Sequence, residues 1–248
     1  MTLQNNVNEY LASAPGGICL VTAKYPRANF NNGASGNNDT YTVPAGRRAI
    51  VLTSTFRSQS ASSATLIQNW KISGTYYPVN FSTQTVAAGT VVNDTVDGGF
   101  IMEAGEILSF NSSQSTMNIF AQVVEFSNQS NLRTVKTIGA TNGDQTVYTC
   151  PAGKHAILMT GNGQALGSPN FASFISNSSG GSITSNIYCV PNGGSKGAAN
   201  LIQASIVTTT GSCTRIKFGG ILNPGDFMVW NCNTASANAL CAFTVLEV

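Results

Sequence analysis

The hydrophobic residues of the chain fall into short runs that predict β-strands. The runs are four to ten residues long, rich in Val, Ile, Thr and aromatic residues, and separated by turn pairs such as Asn-Gly and Pro-Gly. The clearest runs are residues 49–56, 107–110, 117–126, 183–190, 201–207 and 227–230. Many short strands at this spacing are typical of a β-sandwich or jelly roll, so the chain is predicted to be all-β.

One thirteen-residue phrase occurs twice. Residues 41–53 read YTVPAGRRAIVLT and residues 148–160 read YTCPAGKHAILMT, which agree at eight positions. The likeness continues from GGFIMEAGEILSF at 98–110 to FGGILNPGDFMVW at 218–230. A shorter match pairs TYYPVN at 75–80 with IYCVPN at 187–192. The offset grows along the chain, as expected where insertions collect in loops, so the sequence predicts two tandem sandwich domains related by internal duplication.

These matches predict four segments. They are an N-terminal arm at 1–15, a first domain at 16–126, a linker at 127–131 and a second domain at 132–248. The linker is short and polar, and it permits the two domains either to pack on each other or to stand apart.

The arm differs in pattern from the rest of the chain. It predicts a short amphipathic helix with Val7, Tyr10 and Leu11 on one face. So short a helix is not stable alone, so these residues are candidate contacts of an assembly arm that docks on its own domains or on a neighbouring subunit. The alternative is a frayed terminus.

The charge of the chain is low and balanced. Only 9% of the residues are charged, and 12 Lys and Arg against 10 Asp and Glu give a net charge of +2. This predicts no binding to nucleic acid. Residues 1–17 lack the pattern of a secretory signal, and no apolar stretch is long enough to span a bilayer, so synthesis in the cytoplasm and no membrane contact are expected.

The residue types that carry chemistry are few. The six cysteines contain no close C-x-x-C pair and the chain has one histidine, so neither a metal site nor a cofactor is expected, and the thiols are predicted to be buried rather than disulfide-bonded. His155 stands where the first copy has Arg48, which indicates a strand end rather than an acid or base. Glu103 and Glu106 flank a turn and could serve in calcium binding or glycoside hydrolysis, but turn acids are more often solvated. No catalytic residue, and no enzyme, is predicted.

Aromatic residues near the Ser/Asn/Gly-rich loops offer a binding function. Stacking on a sugar ring requires exposed aromatics beside amide and hydroxyl donors. The candidate glycan contacts are Trp70, Tyr76, Tyr77, Phe171 and Phe174. The alternative is that these side chains belong to the sandwich cores.

The phrase at 41–53, followed by GGFIMEAGEILSF and the final strand MNIFAQVVEF at 117–126, resembles the β-sandwich modules of tailed-bacteriophage virion structural proteins. Such modules recur in capsid decoration or cement proteins, head fibres and tail accessory proteins. The resemblance implies a homo-oligomeric protein located in the virion, whose partners are other copies of itself and other capsid or tail proteins. The alternative is a receptor-binding module that attaches to a host-surface glycan.

Overall fold

The computed structural model describes most of the chain. The described residues are 22–24, 27–30, 36–58, 62–79, 84–94, 100–114, 116–128, 130–159, 173–178 and 180–248. Nearly all of their regular structure is antiparallel β-strand, and the single helical segment among them is a 3₁₀ turn at Ala198–Asn200. None of the described helical structure is long and apolar enough to cross a bilayer. The candidate arm contacts Val7, Tyr10 and Leu11 lie outside the described residues, as does Phe171.

Eleven strands form the first sandwich. They are β1 Thr22–Lys24, β2 Arg27–Phe30, β3 Gly36–Thr42, β4 Arg47–Ser58, β5 Ala64–Ile72, β6 Thr75–Pro78, β7 Gln84–Val86, β8 Val91–Asp94, β9 Ile101–Met102, β10 Ile107–Ser112 and β11 Met117–Ser127. In one sheet β11 lies between β1 and β2 on one side and β4 on the other, and β4 then pairs with β8 and β9. The facing sheet has the order β3-β10-β5-β6, with β7 also on β5.

Ten strands form the second sandwich. They are β12 Leu132–Ala140, β13 Gly143–Thr149, β14 Ala156–Met159, β15 Phe174–Asn177, β16 Ile183–Val190, β17 Leu201–Thr208, β18 Ser212–Arg215, β19 Gly220–Leu222, β20 Phe227–Cys232 and β21 Ser236–Glu247. In one sheet β21 lies between β12 on one side and β14 and β15 on the other, with β19 beyond β14 and β18 beyond β15. The facing sheet has the order β13-β20-β16-β17.

The two sandwiches have the same strand order. β12 takes the place of β1 and β2 together, β21 and β13 take the places of β11 and β3, and β14 together with β15 takes the place of the long strand β4. Because the sheets are built from non-consecutive strands that cross between two facing layers, each sandwich is a jelly roll. The predicted fold class, two tandem jelly-roll-like sandwiches from a duplication, is therefore confirmed.

The shorter sequence match is wrong. TYYPVN begins in β6, whereas IYCVPN covers the end of β16, whose counterpart is β5. The pairing register shows the true correspondence, because Trp70 lies opposite Leu108 in the first sandwich and Cys189 lies opposite Met228 in the second. Cys189 therefore occupies the place of Trp70.

The repeated phrase contains the same turn in both copies. Gly46 and Gly153 adopt φ values of +73° and +74°, in the left-handed region that favours glycine. The following residue donates its backbone N–H to the proline carbonyl at 3.2 Å in each case. The phrase recurs because it delivers the chain from one sheet into a central strand of the other.

Candidate functional site at the junction between the sandwiches

Strand β21 is buried on both of its faces. Its residues 239–247 are all buried, although a strand at the surface of a sandwich ordinarily alternates between buried and exposed positions. Cys241 and Phe243 face the core of the second sandwich, whereas Leu240 and Ala242 belong to the core cluster of the first. The continuous apolar run ALCAFTVL is the sequence counterpart of this two-sided burial. The outer face of this sheet is thus one wall of a junction between the sandwiches.

An aromatic cluster fills the junction. Trp70 and Phe100 of the first sandwich lie with ring centroids 5.1 Å apart, and Phe174 of β15 lies 6.3 Å from Trp70 and 6.4 Å from Phe100. All three side chains are fully buried. These distances are those of favourable tilted and edge-to-face contacts, so the cluster joins the two sandwiches through a shared apolar core.

This placement corrects the glycan-contact prediction. Trp70, Tyr77 and Phe174 are core residues with no surface on which a sugar ring could stack. Tyr76 is half-buried, and the ammonium of Lys71 lies 4.8 Å from its ring centroid. Among the described candidates, only Tyr76 keeps the exposure that a glycan contact requires.

A buried ion pair joins the two sandwiches across the junction. Glu106 accepts hydrogen bonds from the indole N–H of Trp70 and the backbone N–H of Glu103, both at 2.8 Å. The Nζ of Lys136, on β12 of the second sandwich, lies 2.6 Å from its Oε1 and 4.9 Å from the Trp70 ring centroid. Burial raises the pKa of Glu106 above its ordinary value, although Lys136 and the hydrogen bonds act in the opposite direction. The group is therefore a satisfied buried ion pair rather than a solvated turn acid.

Arg48 fixes the segment that connects the sandwiches. Its Nε donates to both carboxylate oxygens of Glu103 at 2.9 Å, and one terminal nitrogen donates to the backbone carbonyls of Ser130 and Leu132 at 2.5 and 3.2 Å. Arg48 is itself buried. The linker is held against the first sandwich, so the structure decides that the two sandwiches pack on each other.

These contacts define what the junction can do chemically. Glu103 and Glu106, the acids that the sequence offered for hydrolysis or calcium binding, each have a cationic partner inside the protein. Within the described ranges no group of three or more metal-ligating side chains comes together. The arrangement can hold two sandwiches in one orientation, and it presents neither an acid–base pair nor a ligand set to solvent.

Each sandwich also contains a tyrosine–glutamate pair that the sequence reasoning missed. The hydroxyl of Tyr41 donates to Glu125 at 2.7 Å, and that of Tyr148 donates to Glu247 at 3.1 Å. Burial and the neighbouring carboxylate raise the pKa of both tyrosines. The signal was present, because both tyrosines begin the repeated phrase and both acids lie near the end of the last strand of their copy.

The carboxylate of Glu247 contacts three polar side chains. Besides Tyr148, its carboxylate lies 2.5 Å from the guanidinium of Arg133 and 3.2 Å from the ammonium of Lys154. Burial raises its pKa, but the hydrogen bonds and charges of Arg133 and Lys154 outweigh burial, so the pKa of Glu247 lies below its ordinary value.

The five described cysteines are free thiols. Four of them, Cys150, Cys213, Cys232 and Cys241, are buried, and Cys189 is half-buried. Burial raises the pKa of Cys213 and Cys241 well above its ordinary value. Such thiols stay protonated and pack as small apolar side chains, as predicted.

Comparison with known proteins gives likeness of structure but not of sequence. No family model matches the chain, and no curated protein matches it. The chain is similar to a protein of Sulfolobus Turreted Icosahedral Virus, at 14% identity and a TM-score of 0.26, over 88% of this chain and 57% of that one. It is also similar to the PBSX exported protein XepA, at 8% identity and a TM-score of 0.26, over 92% of this chain and 86% of that one. A third similar structure is the tandem CBM22 domain of Xyn10C from Paenibacillus barcinonensis, at 10% identity and a TM-score of 0.22, over 96% of this chain and 99% of that one.

Proposed function

We propose that the chain is a structural protein of a tailed-phage virion, a capsid decoration or cement protein or a tail accessory protein, which acts by protein–protein assembly and not by catalysis. The observation that carries this proposal is the position of the acidic side chains that could take part in chemistry. Glu103 and Glu106, the acids that the sequence offered for hydrolysis or calcium binding, pair with Arg48 and Lys136 inside the fold, whereas the surface presents apolar strand residues. The resemblance of the repeated phrase to phage virion modules supports the same role.

The buried acids are consistent with a structural role. Glu106, Glu125 and Glu247 are all buried, and each has at least one hydrogen-bonding partner within the chain. A catalytic carboxylate must reach its substrate from a cleft, whereas these three are buried within the fold.

The surface offers a sheet edge suited to association. Strand β17 ends its sheet, and its sequence LIQASIVT contains no charged residue and no proline. Two of its apolar side chains, Leu201 and Val207, are 38% and 54% exposed. Proteins that remain monomeric usually protect such edges with charges or proline, so an uncharged edge with exposed apolar residues favours pairing with a neighbour.

Assembly also benefits from the junction. Because the two sandwiches share a buried core, they present their outer surfaces in one fixed relative orientation. Many weak contacts between such rigid units add up to firm attachment on a repetitive shell. The glycan-binding alternative has less support, because three of its five candidate aromatics are core residues and only Tyr76 is described with partial exposure.

The test is localisation on particles. Virions purified from the source lysate are labelled with gold-conjugated antibody against the chain, with pre-immune serum as the control, and copies per particle are counted by quantitative mass spectrometry. Label spread over the heads at high copy number supports decoration or cement. Label confined to the tail at low copy number supports a tail accessory role, and particles without label would refute the proposal.

A further inference from the structure

A pair of isoleucines occupies the equivalent place in each sandwich, but the two pairs differ in burial. Ile50 pairs with Ile101 across β4 and β9, and Ile157 pairs with Ile221 across β14 and β19. Ile50 and Ile101 are both 0% exposed, whereas Ile157 is half-buried and Ile221 is 67% exposed. The duplication has kept an apolar pair in both copies, yet only the first copy covers it.

The pair lies on the outer face of its sheet in each sandwich. The neighbours of the first pair, Ala49 and Met102, belong to the core cluster of the first sandwich. The equivalent neighbours of the second pair, Ala156 and Leu222, belong to the core cluster of the second. Because successive side chains of a strand point to opposite faces, the isoleucines point away from their own cores.

In the first sandwich the pair lies beneath the start of the second. Strand β12 contacts β9, and the backbone N–H of Ile101 donates to the hydroxyl of Thr134 at 3.1 Å. Arg48, two residues before Ile50, donates to the carbonyls of Ser130 and Leu132. The cover is therefore the segment with which the next sandwich begins.

In the second sandwich the pair is continuous with the junction already described. Ile157 lies opposite Leu246, and Leu246 lies opposite Leu132. Exposure falls along this row, from 67% at Ile221 to 0% at Leu132. The row forms one apolar stripe across four strands, covered at one end and open at the other.

We propose that a second copy of this chain covers Ile157 and Ile221, placing the start of its first sandwich on the second sandwich of its neighbour. The inference deepens the proposed assembly role and rests on it. Strand β1 is the counterpart of β12, and both pair with the last strand of their sandwich. In an assembly of copies, the first sandwich of another chain takes the place on the second sandwich that β12 and its own sandwich take on the first. The contact made within one chain is then repeated between chains.

The contact between chains has an imidazole in place of the guanidinium and lacks the aromatic anchors. His155 stands where Arg48 donates to the linker carbonyls, and it is exposed. Cys189 and Gly220 stand where the first sandwich has Trp70 and Phe100. Aromatic residues supply much of the energy of protein interfaces, so the association is weaker than the internal junction and depends on concentration. A head-to-tail contact between different surfaces generates rings or chains of copies.

The test uses the purified full-length chain in sedimentation-velocity and light-scattering measurements over a wide concentration range. Wild type is expected to form oligomers that grow with concentration. Ile221→Asp is expected to raise the dissociation constant by about tenfold or more, because it places a charge in the apolar contact. Val91→Asp, at the 55% exposed position on β8, is the matched control and is expected to leave the association unchanged, because β8 and β1 lie at opposite ends of their sheet. Circular dichroism melts of both variants check that they are folded.

The proposal would be overturned by a wild type that stays monomeric, by an Ile221→Asp variant that associates like wild type, or by a control that dissociates equally. A disulfide-linked dimer formed through Ile221→Cys would mean that the row pairs with itself, which contradicts the head-to-tail contact. These measurements do not involve particles, so a failure here and an absence of gold label on virions are separate results.

Discussion

Replacing Phe174 by Ala should separate the unfolding of the two sandwiches. The Phe174 ring is fully buried between the outer face of the second sandwich and the rings of Trp70 and Phe100. Truncating a buried phenylalanine to alanine costs about 3–5 kcal/mol through lost burial and the remaining cavity. The free energy of unfolding of a domain is only about 5–15 kcal/mol, so this loss removes a large part of the coupling.

The chain carries a suitable reporter for the first sandwich. Trp70 and Trp230 lie in different sandwiches, so Trp230→Phe leaves Trp70 as the only indole. In that background, urea unfolding followed by Trp70 fluorescence is compared with far-UV circular dichroism, which reports the strands of both halves. We expect the two transitions to coincide without the Phe174 substitution and to separate with Phe174→Ala.

The matched control is Phe243→Ala. Phe243 is equally buried, but it points into the core of the second sandwich instead of the junction. It should lower the free energy of unfolding by a similar amount while the two transitions still coincide, because the junction contacts are intact. If the transitions already differ in midpoint without Phe174→Ala, or still coincide after it, the junction does not couple the sandwiches and the reasoning is refuted.

Three further predictions concern single groups. Because the pKa of Glu247 is lowered in the folded state, its stabilisation is present above the ordinary carboxyl pKa and is lost as the pH falls through the lowered value. Glu247→Gln should therefore flatten the acid limb of a stability–pH profile from urea melts, and an unchanged slope would contradict this. Arg48→Met should lower the free energy of unfolding in urea melts by about 1–3 kcal/mol, because two buried carbonyls lose their donor. Arg57→Met, at an exposed position, should have little effect in the same melts. Gly153→Ala should lower the free energy of unfolding in thermal melts by about 1–2 kcal/mol, because its φ of +74° disfavours alanine while the added Cβ meets no neighbour. Gly181 has no such φ, so an equal loss for Gly181→Ala would refute this cause.

The strands and the duplication are readable from the sequence because they depend on local chemistry. The period-two and continuous apolar runs predict strands wherever a sheet face must be buried. The phrase at 41–53 and 148–160 predicts the same turn twice, because a glycine is needed where φ is positive. The shorter match at 75–80 and 187–192 is wrong, because a six-residue segment does not specify with which strand it pairs. Only the pairing register assigns each strand to its position in the sheet.

The junction is decided by tertiary structure. Trp70 and Phe174 sit in sequence beside polar loops, and only the packing of one sandwich on the other turns them into core residues. Glu106 becomes a buried ion-pair partner because Lys136 of the second sandwich reaches it. Such contacts join residues whose distance depends on the relative orientation of the two halves, and no local pattern specifies that orientation.

The isoleucine pairs show most directly which properties the sequence determines and which the tertiary structure decides. By itself, the sequence determines that Ile50 and Ile157, one in each copy, lie at equivalent points of the same strand. It does not determine that Ile50 is buried and Ile157 half-buried, because the two positions differ only in what the rest of the chain places over them. Periodicity fixes the face on which a side chain lies, whereas burial of an outward face requires a second surface, and only the folded arrangement of both sandwiches provides it.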